Sequence, residues 1–167
     1  EEDEEERAPY RQRLRSMQRL ELLLAAVLAP ALAQVEEPVP EPEPCGYALS
    51  SSEGEWTDAQ AACEALGGDL AAIDSPAQNE EAVGLLAEAG LSVAWIGLWR
   101  QDNGISGFAW RQGGGNIMPE YFAWAEAQPS STSACSSCNC GDIQSTGTWR
   151  SRSCNQDKRA LCQLRCA

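Results

Sequence analysis

The sequence predicts an α+β fold, and three observations predict it. Two capped helical patterns open the apolar part of the chain. Short apolar and aromatic runs of strand character follow after residue 93. Between them and the C-terminus lies a long stretch, 113–140, rich in Gly, Ser, Pro and Asn and without periodicity. Helices first, strands later and one long irregular segment is the order of an α+β domain. A loop of that length inside a compact domain is either a functional segment or a misread element.

The first helix is announced by Thr57-Asp58-Ala59-Gln60, read as a capping box with Thr57 at the N-cap and Gln60 reaching back from the third position. Ala59, Ala62, Cys63 and Leu66 follow at one-face spacing, and Gly67-Gly68 stops the helix. Ser75-Pro76-Ala77-Gln78 repeats the device, with proline at the first helical position. The second helix presents Ala82, Leu85, Leu86 and Ala89, and Gly90 ends it. Residues 93–99 then read as a strand. Residues 108–110 read as another, set off by Gly104 and Gly107, and Trp149 and 159–164 belong to late strands.

The chain has 167 residues, 43% hydrophobic, with eight cysteines and no histidine. An even cysteine count fits disulfides in an oxidising compartment. From Met17 a basic start precedes an apolar run, 22–33, too short to span a bilayer of about 30 Å. The run ends Ala31-Leu32-Ala33, which suits signal peptidase. Residues 17–33 are therefore expected to be a signal peptide, and residues 1–16 an acidic and basic segment of doubtful status. Residues 34–44, where Pro alternates with Glu, should be an extended linker. The domain should run over 45–167. Residues 35–167 carry 18 acidic and 7 basic side chains, a net charge of −11. Nucleic acid and anionic membrane surfaces are poor partners for such a chain.

Several stretches taken together resemble the C-type lectin-like domain family. W-T-D-A-Q-A-A-C-E-A-L-G-G-D-L-A-A-I (56–73) is similar to the family's first helix and its exit strand. A-W-I-G-L (94–98) is similar to its central strand. Trp110, Tyr121, Trp124, Gln128-Pro129, G-T-W-x-x-x-x-C (147–154) and C-x7-C (154–162) follow in the family's order. The resemblance runs from Cys45 to Cys166. It implies two helices flanking a small antiparallel sheet, with a long irregular loop that holds ligands. It also implies the disulfides Cys63–Cys162 and Cys140–Cys154. The family's first and last strands pair near the termini, which puts Cys45 with Cys166 and leaves Cys135 with Cys138. For that last pair, a redox C-x-x-C and a zinc site that includes Cys140 are the competing readings. Neither fits well. A redox pair usually sits at a helix N-terminus, and zinc would break Cys140–Cys154. Trp56, Trp95, Trp110 and Trp124 are expected to pack the core and the loop rather than to stack on sugars.

No catalytic constellation is visible, since without histidine there is no Ser-His or Cys-His pair. The expected function is a secreted, non-enzymatic recognition module that takes a glycan or protein ligand on the long loop. The alternative is a structural or surface protein that recognises mineral, ice or a partner chain; a disulfide oxidoreductase through Cys135 and Cys138 ranks below both. In sugar-binding members of the family, calcium is held by a Glu-Pro-Asn or Gln-Pro-Asp triplet, a further Glu, and an Asn-Asp pair after the tryptophan. The matching positions here are Gln128-Pro129-Ser130 and Arg150-Ser151, and no Asp or Glu lies between Ser130 and Cys140. Calcium wants six to eight oxygens, carboxylates above all. No metal or cofactor is therefore expected at this site. A ligand there should meet Gln128, Ser130, Arg150 and Ser151, over Tyr121.

Overall fold

The computed structural model describes residues 44–101 and 107–165. The readings of residues 1–16, 17–33 and 34–43 and the Cys45–Cys166 pairing lie outside the described residues. In chain order the elements are β1 (Pro44–Gly54), α1 (Trp56–Ala65), β2 (Gly68–Leu70), α2 (Pro76–Glu88), β3 (Val93–Arg100), β4 (Phe108–Gln112), β5 (Gly115–Ile117), β6 (Cys140–Gln144), β7 (Trp149–Arg152) and β8 (Lys158–Arg165).

The sheet runs β1-β8-β3-β4-β5, with β2 added on β8 and the β6–β7 hairpin added on β3. Every strand pairing is antiparallel except the short parallel contact of β3 with β8, at Trp95 and Ala160. The architecture is α+β, as the element order suggests, and the sheet is mixed at that one contact.

β3 organises the core because both its faces are covered. Successive side chains of a strand point to opposite faces. Ala94, Ile96 and Leu98 enter a cluster with Ala82 and Leu86 of α2, Trp110 and Trp149. Trp95 and Trp99 enter a second cluster with Trp56, Ala59 and Cys63 of α1. Each helix thus closes one face of the same strand. Gly97 sits where the chain leaving β2 crosses β3. Its amide donates to Ala71 O at 2.9 Å, and a Cβ there would lie 2.8 Å from Leu70 O.

The helix starts differ from the sequence reading in one case. α1 begins one residue before Thr57, with Glu55 at the N-cap and no side-chain cap. Trp56 is pulled into the first turn because its amide donates to Cys154 O and its indole N–H to Ile96 O, each at 2.9 Å. Gln60 does not reach back. It donates to Glu64 and Asp69 and accepts from the Leu70 amide. Leu66, expected in the core, is half exposed, and Ala89 is exposed. At α2 the cap is as read: the Ser75 hydroxyl accepts from the Gln78 amide, and Gln78 Oε1 accepts from the Asp74 amide.

β1 bulges between Leu49 and Glu53. Ser50, buried there, mends the ladder. Its hydroxyl accepts from the Ala160 amide at 2.8 Å, and its carbonyl accepts from Arg159. Among the described residues three disulfides are closed. Cys63–Cys162 ties α1 to β8, Cys140–Cys154 ties the start of β6 to the turn before β8, and Cys135–Cys138 closes a small ring in the loop.

Gly97→Ala should destabilise the domain by about 1–3 kcal/mol, because the new methyl meets backbone and not a movable side chain. Urea unfolding of the variant against the parent checks this.

Candidate functional site: the long loop and its anchors

From Met118 to Asn139 the chain has no strand or helix beyond one bridge, Trp124 with Trp149. The loop keeps its path through anchors at several points. Trp124 lies edge-on to Phe108, with ring centroids 5.1 Å apart, and near Trp149. Tyr121 lies edge-on to Trp149 at 5.5 Å. Backbone bonds run from Trp149 N to Ala123 O and from Ala125 N to Trp149 O. The first limb of the loop is thereby laid along β7.

The middle of the loop is held by a closed polar knot. Gln128 Oε1 accepts from the Ser151 amide at 2.9 Å and from the Ser151 hydroxyl at 3.1 Å. The Ser130 amide donates to Ser151 Oγ at 2.8 Å, and Gln128 Nε2 makes a long bond, 3.4 Å, to Ser130 Oγ. The Gln128–Pro129 peptide is cis. Ser151 is fully buried. Below the knot lies Arg100, 4% exposed at the end of β3. Its Nη2 donates to Ser130 O at 2.6 Å and to Cys138 O at 3.3 Å, and its guanidinium sits 4.5 Å over Phe108. One side chain therefore grips the loop on both sides of its tip.

The structure brings Gln128, Ser130 and Ser151 together and sets Arg150 and Tyr121 apart from them. Arg150 and Ser151 are neighbours on β7, so strand alternation sends them to opposite faces. Arg150 turns to Asp142, directly across the β6–β7 ladder. It forms a two-pronged pair, Nε to Oδ1 and Nη2 to Oδ2, each 3.0 Å. Asp142 has no solvent exposure. Arg152 stands 3.9 Å from its Oδ2 and Lys158 3.6 Å. The Lys158 ammonium also lies 3.4 Å over the Trp95 ring and donates to Gln156. Burial of Lys158 outweighs the attraction of Asp142 and pushes its pKa down to about 8, with Arg150 and Arg152 adding repulsion.

Arg100 and Asp142 escape sequence reasoning. Each is a single charge inside an apolar strand, and nothing local names its partner. Cys135 is half-buried and follows a turn in which its amide donates to Ser131 O; Cys138, 8% exposed, leads into β6. Neither begins an α-helix. Among the described residues no cysteine is free, and no group of three or more His, Cys, Asp or Glu could hold a metal ion.

The class defined by this geometry is a two-helix α+β domain that carries a long loop stapled to its sheet. The family described as Lectin C-type domain matches residues 52–164. The chain belongs to that family. Mouse Endosialin is 33% identical over 150 residues, which cover 81% of this chain and 19% of Endosialin. The chain spans about a fifth of that relative's length. Among solved structures, the mouse scavenger receptor C-type lectin carbohydrate-recognition domain superposes with a TM-score of 0.60 at 21% identity. That match covers 72% of this chain and 88% of the other. Herring type II antifreeze protein superposes with a TM-score of 0.61 at 22% identity, over 72% and 91%. At these identities the two structures share the fold.

Asp142→Asn should cost about 3 kcal/mol, most of it from stranding Lys158 and Arg150. Arg152, more than a third exposed, contributes little. Guanidinium unfolding measures the loss. A second outcome concerns pH. In the unfolded chain Lys158 keeps its proton to about 10.5. Folded, it gives up the proton near 8. Between those values the unfolded state binds more protons, so this group's share of stability rises with pH across that window. Stability curves at pH 7, 8, 9 and 10 should show a rise in the parent that is missing in Lys158→Met.

Proposed function

We propose that the chain is an extracellular, non-enzymatic recognition module that binds a protein partner through the first limb of its long loop, without calcium. The observation that carries this reading is the placement of exposed apolar side chains. Ile117, Met118 and Phe122 are 51%, 63% and 51% exposed, and among the described residues only Leu66 is a comparably exposed large hydrophobic. A cluster of this kind on a backbone fixed from below is the chemistry of a protein-binding surface. Trp124 and Tyr121, on the same limb, are packed inward and hold it in place.

The calcium reading is disfavoured by the donor set. At the Gln128-Pro129-Ser130 triplet the side-chain amide oxygen, Gln128 Oε1, already accepts two bonds from Ser151. The hydroxyls of Ser130 and Ser151 are used within the same knot. The carboxylate of β6, Asp142, belongs to the other face and is taken by Arg150. Between Ser130 and Cys140 the chain has no Asp or Glu to offer a hard cation that needs several carboxylates. A sugar at this position would have to displace the same bonds, which favours a protein ligand over a glycan here. The disulfides fit an oxidising compartment. No helix among the described residues is long and apolar enough to cross a membrane.

Two measurements test the reading. Isothermal titration with millimolar calcium should give no saturable heat, and saturable binding lost in Gln128→Ala would overturn the calcium-free reading. A library of extracellular proteins should be screened on immobilised parent domain beside a Met118→Ser, Phe122→Ser double variant. The expected hit binds the parent and is lost on the variant. Hits that ignore the double change would move the interface elsewhere.

A further inference from the structure

A second surface lies on the opposite side of β3, away from the loop. Because Trp99 and Arg100 are consecutive in a strand, they face opposite ways. Arg100 grips the loop, and Trp99 turns toward α1, where its ring centroid is 5.4 Å from that of Trp56. There a groove of ≈ 320 Å³ is walled by Trp56, Thr57, Gln60, Glu64, Trp99 and Arg111. This lies within the range of small-molecule sites, about 300–1,000 Å³. It adjoins a second cavity of ≈ 350 Å³ that shares Glu64 and Gly114 and ends at Asp69 and Arg165.

The walls carry unspent hydrogen-bonding capacity. Trp56, Trp95, Trp110 and Trp149 donate their indole N–H groups to Ile96 O, Gly54 O, Asp74 Oδ1 and Asn79 Oδ1. Trp99 is only half-buried, and its indole N–H has no partner among the described residues. The Thr57 hydroxyl and the Arg111 guanidinium are likewise without hydrogen-bond or ion-pair partners there. Arg111 is notable in so acidic a chain: it lines the groove with Trp99 and Glu64, and among the described residues it forms no ion pair. Glu64, by contrast, is held in place. Gln60 Nε2 donates to it at 2.9 Å and is itself anchored through Asp69 and the Leu70 amide. The groove thus combines a partly open aromatic face, a free cation, a free hydroxyl and an oriented carboxylate. Aromatic faces receive the C–H face of a sugar ring, while charged and hydroxyl groups at the edge pair with its hydroxyls.

We propose that the groove between α1 and the β4–β5 hairpin is a calcium-independent saccharide site, with a pyranose ring on Trp99 and its hydroxyls bonded to Arg111, Glu64 and Thr57. The adjoining cavity admits a second ring toward Arg165. This inference does not depend on the loop reading, since the two surfaces share no side chain.

The test is a ¹H–¹⁵N titration of the intact domain in EDTA with cellotriose, chitotriose and maltotriose. The sequence has six tryptophans, and Trp99→Phe assigns the Trp99 indole signal by its disappearance. The expected result is a saturable shift of that signal with at least one of the three sugars, while the indole signals of Trp95, Trp110 and Trp149 stay put. Arg111→Ala should weaken the binding about tenfold, and Gln128→Ala should leave it unchanged. The three buried indole signals report whether each variant is folded. A Trp99 signal that does not move with any of the three sugars overturns the proposal. So does a shift that is the same in Arg111→Ala, or one that is lost in Gln128→Ala.

Discussion

A carboxylate with no access to water sits among three cations, and four strands depend on it. Asp142 of β6 pairs with Arg150 and Arg152 of β7 and with Lys158 at the start of β8. Lys158 in turn lies on Trp95 of β3. Taking such a charge out of water costs several kcal/mol per ion, which only close and well-bonded partners offset. The two bonds from Arg150 supply the close geometry, and the Lys158 ammonium meets the ring face of Trp95 where an apolar core would otherwise leave it stranded. The cluster fixes the register of the β6–β7 hairpin, and the hairpin's other face carries Trp149 and Ser151. The loop anchors are therefore placed by a charge that the loop never touches.

On that other face the contacts are neutral and self-contained. Gln128, Ser130 and Ser151 exchange bonds among themselves, and Arg100 holds the carbonyls of Ser130 and Cys138. The Gln128-Pro129-Ser130 triplet turns its side-chain oxygens inward, onto Ser151 and each other. The loop gains a fixed shape from this, and the polar groups lose their freedom to meet a ligand. The protein surface proposed above is the limb before the knot, with its apolar side chains outside, and the proposed saccharide groove lies at the tryptophan of β3 that points the other way.

Much of this architecture was legible from spacing. The second helix was visible because Ser75, Pro76 and Gln78 act locally, through the chain's own amides. The first starts two residues earlier than its local pattern implies, because Trp56 is recruited by Cys154 and Ile96, partners 98 and 40 positions away that no local pattern can announce. β3 could be read as a continuous apolar run, but its division into two faces is evident only once α1 and α2 are seen to cover opposite sides. At the site, Gln128, Ser130 and Ser151 are expected from the resemblance to meet a ligand; that they bond one another is seen only in the fold. The separation of Arg150 from Ser151 follows from simple alternation along β7, yet it acquires meaning only when Asp142 is found across the ladder. Arg100 had no signature at all: a lone cation after an apolar strand looks like a strand end, and its partners are backbone carbonyls, which every residue has.

The grip of Arg100 on both sides of the loop tip has a consequence for resistance to proteolysis. Proteases cut chain that can be drawn out into an extended form, and long loops rich in serine and glycine are their usual targets. Here residues 130 and 138 are tied to one buried guanidinium, the segment between them is cross-linked by Cys135–Cys138, and Cys140 is bonded to Cys154 just beyond. Only a few residues at the tip retain slack. The segment that looks most vulnerable in the sequence is in this way tied down at four points along its second limb.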